Sequence, residues 1–282
     1  MSADGEVQPN PNAAQTRTTT PHRALLATCV ASAARAAEII RSRAANLDEL
    51  TWEMKSRADF VTEVDRTAES AIVSVIRDRH HDARIVGEEL SPTMLHGDGL
   101  VFVVDPLDGT TNFLHGFPWY SVSIAALVDD GLVAAAILNV PTGELFTATA
   151  GGGARRNGAP IRVSSIVDPG RALIGTGFPF KHADVVSDFL RMLPNIMRDA
   201  AGIRRPGSAA LDLANVACGR YDAFWEMRLA PWDLAAGLLL IREAGGVVTD
   251  LSGAPARVMQ SGIVAGNPTM HGWLLDKVGK NS

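Results

Sequence analysis

The sequence predicts a mixed α/β protein of the α+β kind, in which sheets and helices stack as layers. Three observations predict it. An Ala-rich segment with helical spacing occupies the N-terminal part. A central block of apolar segments, separated by tight turns, runs from Val101 to about Ala150. Beyond it, short strands alternate with helices. Consecutive hairpin strands mixed with helices suit layered sheets better than one doubly wound sheet.

Residues 1–21, "MSADGEVQPNPNAAQTRTTTP", are rich in Pro, Asn, Thr and Gly and lack an apolar signal core. They predict a disordered tail, leaving residues 22–282 as one two-lobed domain. Ala24–Ala45 is Ala-rich with apolar residues at helical spacing, hence a helix. "WEMKSRADFVTEVD" reads as a polar connector. Thr62 and Asp65 occupy the N-cap and N3 positions of a second helix, Glu63–His80. "ARIVGEE" is a short strand ending in Glu88 and Glu89. "YSVSIAALV", "LVAAAILNV" and "ELFTATA" are separated by "DDG" and "PTG" and predict an antiparallel meander. "GGGARRNG" lacks the Gly-Lys-Ser/Thr ending of a phosphate loop and reads as a hairpin turn. "ALIGTG" is a strand and "HADVVSDFLRMLPNIMRD" a helix. "GSAALDLANVACG" is a helix capped by Ser208, and "YDAFWEM" a strand. "PWDLAAGLLLIREAGG" is a helix with Pro at its start and Gly at its end. "GVVTDL" and "GIVAGN" are strands, and "PTMHGWLLDKV" is the closing helix.

The 282 residues allow one large domain or two closely packed ones. A net charge of −5 argues against binding nucleic acid through bulk basic charge. No apolar run reaches the ~18 residues of a membrane span. Cys29 and Cys218 lie far apart, without neighbours at metal-ligand spacing. They read as reduced, buried thiols of a cytoplasmic protein.

The chemistry concentrates in "VFVVDPLDGTTNF", where an apolar strand runs into Asp105 and Asp108. Carboxylates at a buried strand end need a cation or several donors. Glu88 also falls at a strand end, and Asp233 in the first turn of a helix. An all-oxygen set without His or Cys suits Mg²⁺ or Mn²⁺ rather than zinc, and shared carboxylates can hold two cations about 3.5–4 Å apart. Each acid alone has a plainer reading, as a turn residue or a helix-start acid. The combination, with "GTT" behind Asp108, is more specific. A hydroxyl of Thr110 or Thr111 can orient water, and Gly109 lets a phosphate approach backbone N–H groups. Together these parts describe metal-assisted phosphate-ester hydrolysis. Ser208 lacks a nucleophile-elbow context. His80 and His81 read as solvated, and His115 as a bystander. Arg204 and Arg205 read as ion-paired or as a partner surface. Trp119, Phe224, Trp225 and Trp232 read as packing.

"GEE", "DPLDGTTNF" and "PWDLAAG" resemble the inositol monophosphatase family, of the bacterial inositol-1-monophosphatase type, within the lithium-sensitive Mg-dependent phosphatase superfamily. "KSRADFVTEVD", "GTGFPFK" and "RRPGSAALDLA" extend the resemblance from about Ala24 to the C-terminus. It implies an αβαβα layered sandwich, a homodimer, and about two or three Mg²⁺ per active site, with Mn²⁺ as the alternative ion. Glu88, Asp105 and the Leu107 carbonyl correspond to ligands of the first metal, and Asp105, Asp108 and Asp233 to ligands of the second. Glu88 and Thr110 correspond to the pair that activates water, with Asp65 bonded to the threonine. Asp108, Gly109, Thr110 and Asp233 would border the phosphate. Gly207, Ser208, Ala209 and Glu226 would receive inositol hydroxyls. Ala230 departs from the histidine of animal enzymes, which bears on sugar preference. The implied substrate is a small phosphorylated polyol or sugar, foremost myo-inositol 1-phosphate. Fructose 1,6-bisphosphate, histidinol phosphate or a 3′-phosphoadenosine nucleotide are the alternatives within the superfamily. Some bacterial relatives also bind transcription machinery, so an added protein partner is a reading of another class. Neither a membrane nor direct nucleic-acid contact is expected.

Overall fold

The computed structural model describes residues 11–47, 50, 52–56, 59–90, 98–259 and 261–279. Helix α1 (Pro11–Ala44) begins upstream of the predicted Ala24. Of the predicted tail, residues 1–10 lie outside the described residues, and for 11–20 only the helical course is described. Leu25, Cys29, Ala33, Ala36, Ala37 and Ile40 are buried along one face of α1, the 3.6-residue stripe of a core-facing helix. Burial pushes the Cys29 thiol up to about 12, so it behaves as a small apolar side chain. Because the buried residues described on α1 run from Leu25 to Ile40, removing residues 1–20 is expected to leave kcat and Tm close to wild type. A large fall in either would show that the segment docks on the domain.

The expected polar connector is instead a hairpin of β1 (Trp52–Ser56) and β2 (Asp59–Thr62), paired antiparallel with Met54 opposite Phe60. Its polar composition hid the strands, which share an edge-on aromatic pair, Trp52 and Phe60, with centroids 5.2 Å apart. Helix α2 (Glu63–Arg79) has the expected capping box: Thr62 Oγ1 accepts from Val64 N at 3.0 Å, and Asp65 Oδ2 accepts from Thr62 N at 2.8 Å.

Next come β3 (Arg84–Gly87), β4 (Leu100–Asp108), a short helix α3 (Thr110–Leu114), β5 (Ser121–Val128), β6 (Gly131–Asn139), β7 (Leu145–Thr149), β8 (Gly153–Arg156) and β9 (Ala159–Pro160). They form one sheet in that order, with β3 parallel to β4 and the rest an antiparallel meander. Glu88 and Glu89 lie just beyond β3 rather than in it. "GGGARRNG" is not a single hairpin turn, since it contains β8. Asp129 and Asp130 turn the β5–β6 hairpin with φ of 49° and 64°, as a primed turn requires.

The second half supplies β10 (Leu173–Thr176), α4 (Val186–Asp199), β11 (Gly202–Arg204), α5 (Ala209–Ala217), β12 (Ala223–Met227), α6 (Pro231–Glu243), β13 (Val247–Thr249), β14 (Gly262–Gly266) and α7 (Pro268–Gly279). The second sheet has the order β11-β10-β12-β14-β13. Strand β11 went unread because three residues carry no periodicity.

The layers follow from strand alternation. On β4, Phe102 and Val104 face Ile40, Ile72 and Ile76 of α1 and α2. Val101 and Val103 face the opposite way, into a core shared with Leu213 of α5, Leu238 of α6 and Phe224 of the second sheet. The far face of that sheet, with Ile174, Trp225 and Val264, is covered by Phe189 and Ile196 of α4 and Leu274 of α7. The architecture is therefore the expected αβαβα sandwich, with α5 and α6 between the sheets. Both faces of β4 and β5 are buried, which is why they read as unbroken apolar runs.

Candidate active site

Asp105 and Asp108 stand three positions apart, which in a regular strand would send their side chains to opposite faces. The ladder prevents this. Asp105 pairs with Ser123 and Asp108 with Ser121, so β4 carries one extra residue at this point. Such a bulge re-aims side chains. Carboxylate oxygens of Asp105, Asp108 and Asp233 all lie within 4.8 Å of one another. The cluster sits in a cavity of about 470 Å³ that is also lined by Glu88, Leu107, Gly109, Thr110, Gly207, Ser208, Ala209 and Glu226. Of the residues given a metal, catalytic or substrate role from the sequence, only Asp65 is set back from the cavity wall.

Asp105 is 1% exposed. Its Oδ1 accepts Leu107 N at 3.0 Å. Burial, followed by the charges of Glu88, Asp108 and Asp233, pushes its carboxyl well above the usual range. Asp108 Oδ2 accepts from Ala210 N at 2.9 Å, Ser121 Oγ at 3.3 Å and the Ser208 hydroxyl. Burial outweighs these donors, and its carboxyl is also raised. Ser208 is the expected cap of α5, accepting Leu211 N at 3.3 Å. Asp233 sits at N3 of α6, where its Oδ2 accepts Ala230 N at 2.7 Å. The helix-start role and the cluster role therefore coexist in one side chain.

After Asp108 the chain turns through Gly109 at φ 95°. A Cβ there would meet Trp119 O at 3.0 Å, so glycine is required by both conformation and space. The turn places Thr110 Oγ1 3.2 Å from Asp65 Oδ1 and 3.0 Å from Leu107 O. Both neighbours are acceptors, so the hydroxyl proton points to them and a lone pair is left for a further donor. Asp65 is 2% exposed, and burial raises its carboxyl. Glu88 is half-buried and lines the cavity outside the tight three-carboxylate cluster.

On the other wall, burial and then Asp233 push Glu226 up to about 8. A Cβ on Gly177 would overlap the Glu226 carboxylate, so the bare backbone of "GTGF" makes its room. The structure adds two residues that the sequence did not single out for a role. Asn112 Nδ2 donates to Trp119 O at 2.7 Å and Pro206 O at 2.9 Å, tying the Gly109 turn to the Gly207 turn. Asp212 lines the cavity at 1% exposure with one carboxylate oxygen unpartnered. Burial, Glu226 and Asp108 drive its carboxyl well up. Its position one turn into a helix disguised it as an ordinary polar residue. Arg205, read as ion-paired or partner-facing, lies over the rings of Phe180 and Phe178, 5.0 and 5.6 Å from their centroids, and lines the cavity. His80 is only partly solvated: its Nε2 lies 3.0 Å from Thr28 Oγ1 and its ring packs 5.6 Å from Phe102. Trp232, expected as packing, also borders the cavity.

Among the described residues, no Lys, Arg or His pairs with Asp105 or Asp108. Buried carboxylates that repel one another, with protein donors on only some of their oxygens, fit hard divalent cations.

The chain belongs to the inositol monophosphatase family, whose model matches residues 22–282. It is 46% identical over 236 residues to a Pseudomonas aeruginosa protein named Nus factor SuhB, covering 82% of this chain and 87% of that relative. The solved extragenic suppressor protein suhB from Bartonella henselae superposes with a TM-score of 0.87 at 39% identity, covering 92% of this chain and all of the other. The Thermotoga maritima IMPase gives 0.80 at 31% identity, covering 89% and 95%. Family membership supports a phosphatase activity, and the family is generally metal-dependent. No described helix is long and apolar enough to cross a membrane.

Proposed function

We propose that the protein hydrolyses the phosphomonoester of a small polyol, foremost myo-inositol 1-phosphate, with Mg²⁺ held by Glu88, Asp105, the Leu107 carbonyl, Asp108 and Asp233. The observation that carries this reading is the union of the three-carboxylate cluster with the Thr110–Asp65 hydrogen bond at the same cavity. Bound there, the cations supply Lewis-acid polarisation of the phosphoryl group and lower the pKa of water. Asp65 holds the Thr110 hydroxyl proton, so that the Thr110 oxygen accepts from the attacking water. Glu88 takes the proton released as the water oxygen bonds to phosphorus; the ester P–O bond breaks, and the departing polyol alkoxide takes a proton from solvent water. Backbone N–H groups of Gly109 and Thr110 receive phosphate oxygens. Glu226 and the 207–209 turn receive polyol hydroxyls. A panel of inositol, fructose, histidinol and nucleotide phosphates, assayed with and without Mg²⁺, tests the assignment. Turnover of myo-inositol 1-phosphate no faster than of the others would remove the substrate choice. Absence of Mg²⁺-dependent turnover throughout would remove the mechanism. A cytoplasmic homodimer belongs to the same reading, and light scattering of the pure protein checks its oligomeric state.

A second reading is favoured by one observation, the 46% identity to a protein named Nus factor SuhB. It adds a transcription-machinery partner without displacing the phosphatase. Affinity capture of transcription-machinery components by wild type and by Asp233→Asn separates the two, because loss of a metal ligand should spare a docking surface.

Glu226→Gln tests the polyol wall. The shape is kept, but a group that becomes an acceptor-only carboxylate above about pH 8 is replaced by an amide that never ionises, so the comparison is made at about pH 9. KM for inositol phosphate is expected to rise relative to KM for a simple aryl phosphate, with the Mg²⁺ midpoint unchanged. Equal changes for both substrates would contradict a role in polyol recognition.

A further inference from the structure

We propose that Glu69, which does not line the cavity, is a positioning residue that sets the turn carrying Glu88. This inference rests on the metal-ligand role proposed for Glu88. The Glu69 side chain on α2 has no exposure at all. Its two oxygens accept backbone N–H groups from successive residues of the turn after β3: Oε2 from Glu89 at 2.8 Å, and Oε1 from Leu90 at 3.0 Å. The preceding residue, Gly87, is shaped to the same group. A Cβ there would stand 2.2 Å from Glu69 Oε1 and 2.6 Å from its Cδ. The carboxylate is thus enclosed by the stretch from Gly87 to Leu90, with Glu88 between the contact points.

A buried carboxylate is costly unless its oxygens are bonded, and charge-assisted N–H···O bonds are among the stronger ones. Both Glu69 bonds are spent on the backbone flanking Glu88. The placement within α2 extends the argument. Glu69 lies four residues after Asp65, so the two acids share one helix face. Asp65 holds Thr110 at 3.2 Å, and Glu69 holds the turn of Glu88. One helix face thereby positions both members of the pair assigned to activating water, although they arrive from different strands. Motion of the α2 face would move them together relative to Asp105.

The test uses Mn²⁺ alone as the probe, its binding followed by electron paramagnetic resonance, alongside Mg²⁺-dependent kcat, KM and Tm. Glu69→Gln replaces one acceptor with an amide that faces an N–H. It is expected to weaken Mn²⁺ binding and lower kcat by about 10–100-fold, the range for residues that orient metal ligands. KM for an aryl phosphate should be unchanged, and Tm should fall by only a few degrees. Gly87→Ala presses on the same carboxylate from the other side and should reproduce the effect, which covers the case of a Glu69→Gln that fails to fold. In a Glu69→Ala background the space is already vacant, so adding Gly87→Ala should cause little further loss. Wild-type Mn²⁺ affinity and kcat in folded Glu69→Gln, or in Gly87→Ala where Glu69→Gln does not fold, overturn the proposal, as do fully additive losses in the double variant. Failure of the phosphatase reading shows separately, as wild type that binds Mn²⁺ without turnover. A wild type that binds no Mn²⁺ overturns both.

Discussion

Asp233→Asn is expected to lower kcat by about 10²–10³, the usual cost of removing an electrostatic stabiliser of the transition state, while the protein stays folded. The fold should survive because Asn keeps the volume and retains an oxygen for Ala230 N, the 2.7 Å bond that takes up the N-cap N–H of α6. What disappears is one negative charge from a cluster whose oxygens lie within 4.8 Å. A helix-start acid acting only through the dipole contributes about 0.3–1 kcal/mol to stability and nothing specific to turnover. The two roles therefore give different results in one experiment: the Mg²⁺ dependence of kcat, with circular dichroism to establish folding. A folded variant with near wild-type kcat and an unchanged Mg²⁺ midpoint would leave Asp233 as a cap alone and undermine the shared-carboxylate site.

The parts of this site that were legible in the sequence are those where local chemistry and burial conflict. Asp105 and Asp108 stood out because an apolar strand has no other reason to end in two acids. Ser208 and the Thr62–Asp65 box were readable as helix starts, yet each does a second thing that only tertiary structure reveals: Ser208 donates to Asp108, and Asp65 accepts from Thr110. The bulge in β4 was not legible, because its cause lies in the pairing with β5. Without it, a period-2 reading puts Asp105 and Asp108 on opposite faces. Glu69 and Asp212 were invisible for a related reason. An acid within a helical pattern reads as solvated, and only the packed fold shows that both are buried. The layers were readable because alternation fails on β4 and β5, where both faces are covered. The β1–β2 hairpin was not, since the apolar side chains of β1 remain largely exposed, Trp52 at 55% and Met54 at 63%, and β2 buries only Val61 among its apolar residues.

Asp105→Asn is expected to abolish Mg²⁺-dependent turnover and, in metal-free buffer, to melt at or above the wild-type temperature. The second half of this expectation comes from linkage. In the folded protein the Asp105 carboxyl titrates above its unfolded value, through burial first and then the charges of Glu88, Asp108 and Asp233. Between the unfolded and folded values the native state binds more protons than the unfolded chain, so stability falls as pH rises. The contribution is full below the unfolded pKa and is lost as pH passes the folded one. Asn has no such titration, and its side-chain oxygen can still accept Leu107 N, the bond now 3.0 Å long. The metal-free difference in Tm between variant and wild type should therefore widen in favour of the variant from about pH 5 upward, above the ordinary Asp value of about 3.9. Asp108 and Glu226 are also raised; because Asp105 and Asp108 repel one another, removing the Asp105 charge also eases Asp108, and the difference reads Asp105 together with that repulsion. Mg²⁺ should reverse the order. A ligand at free concentration c that binds only the native state stabilises it by RT ln(1 + c/Kd), and wild type should gain while the variant does not. Scanning fluorimetry from pH 5 to 9, with and without Mg²⁺, reads both effects. A variant that keeps the Mg²⁺-induced rise in Tm would remove Asp105 from the cation site. A variant less stable than wild type in metal-free buffer across the whole range would mean that Asp105 is held by its hydrogen bond rather than opposed by its neighbours' charge.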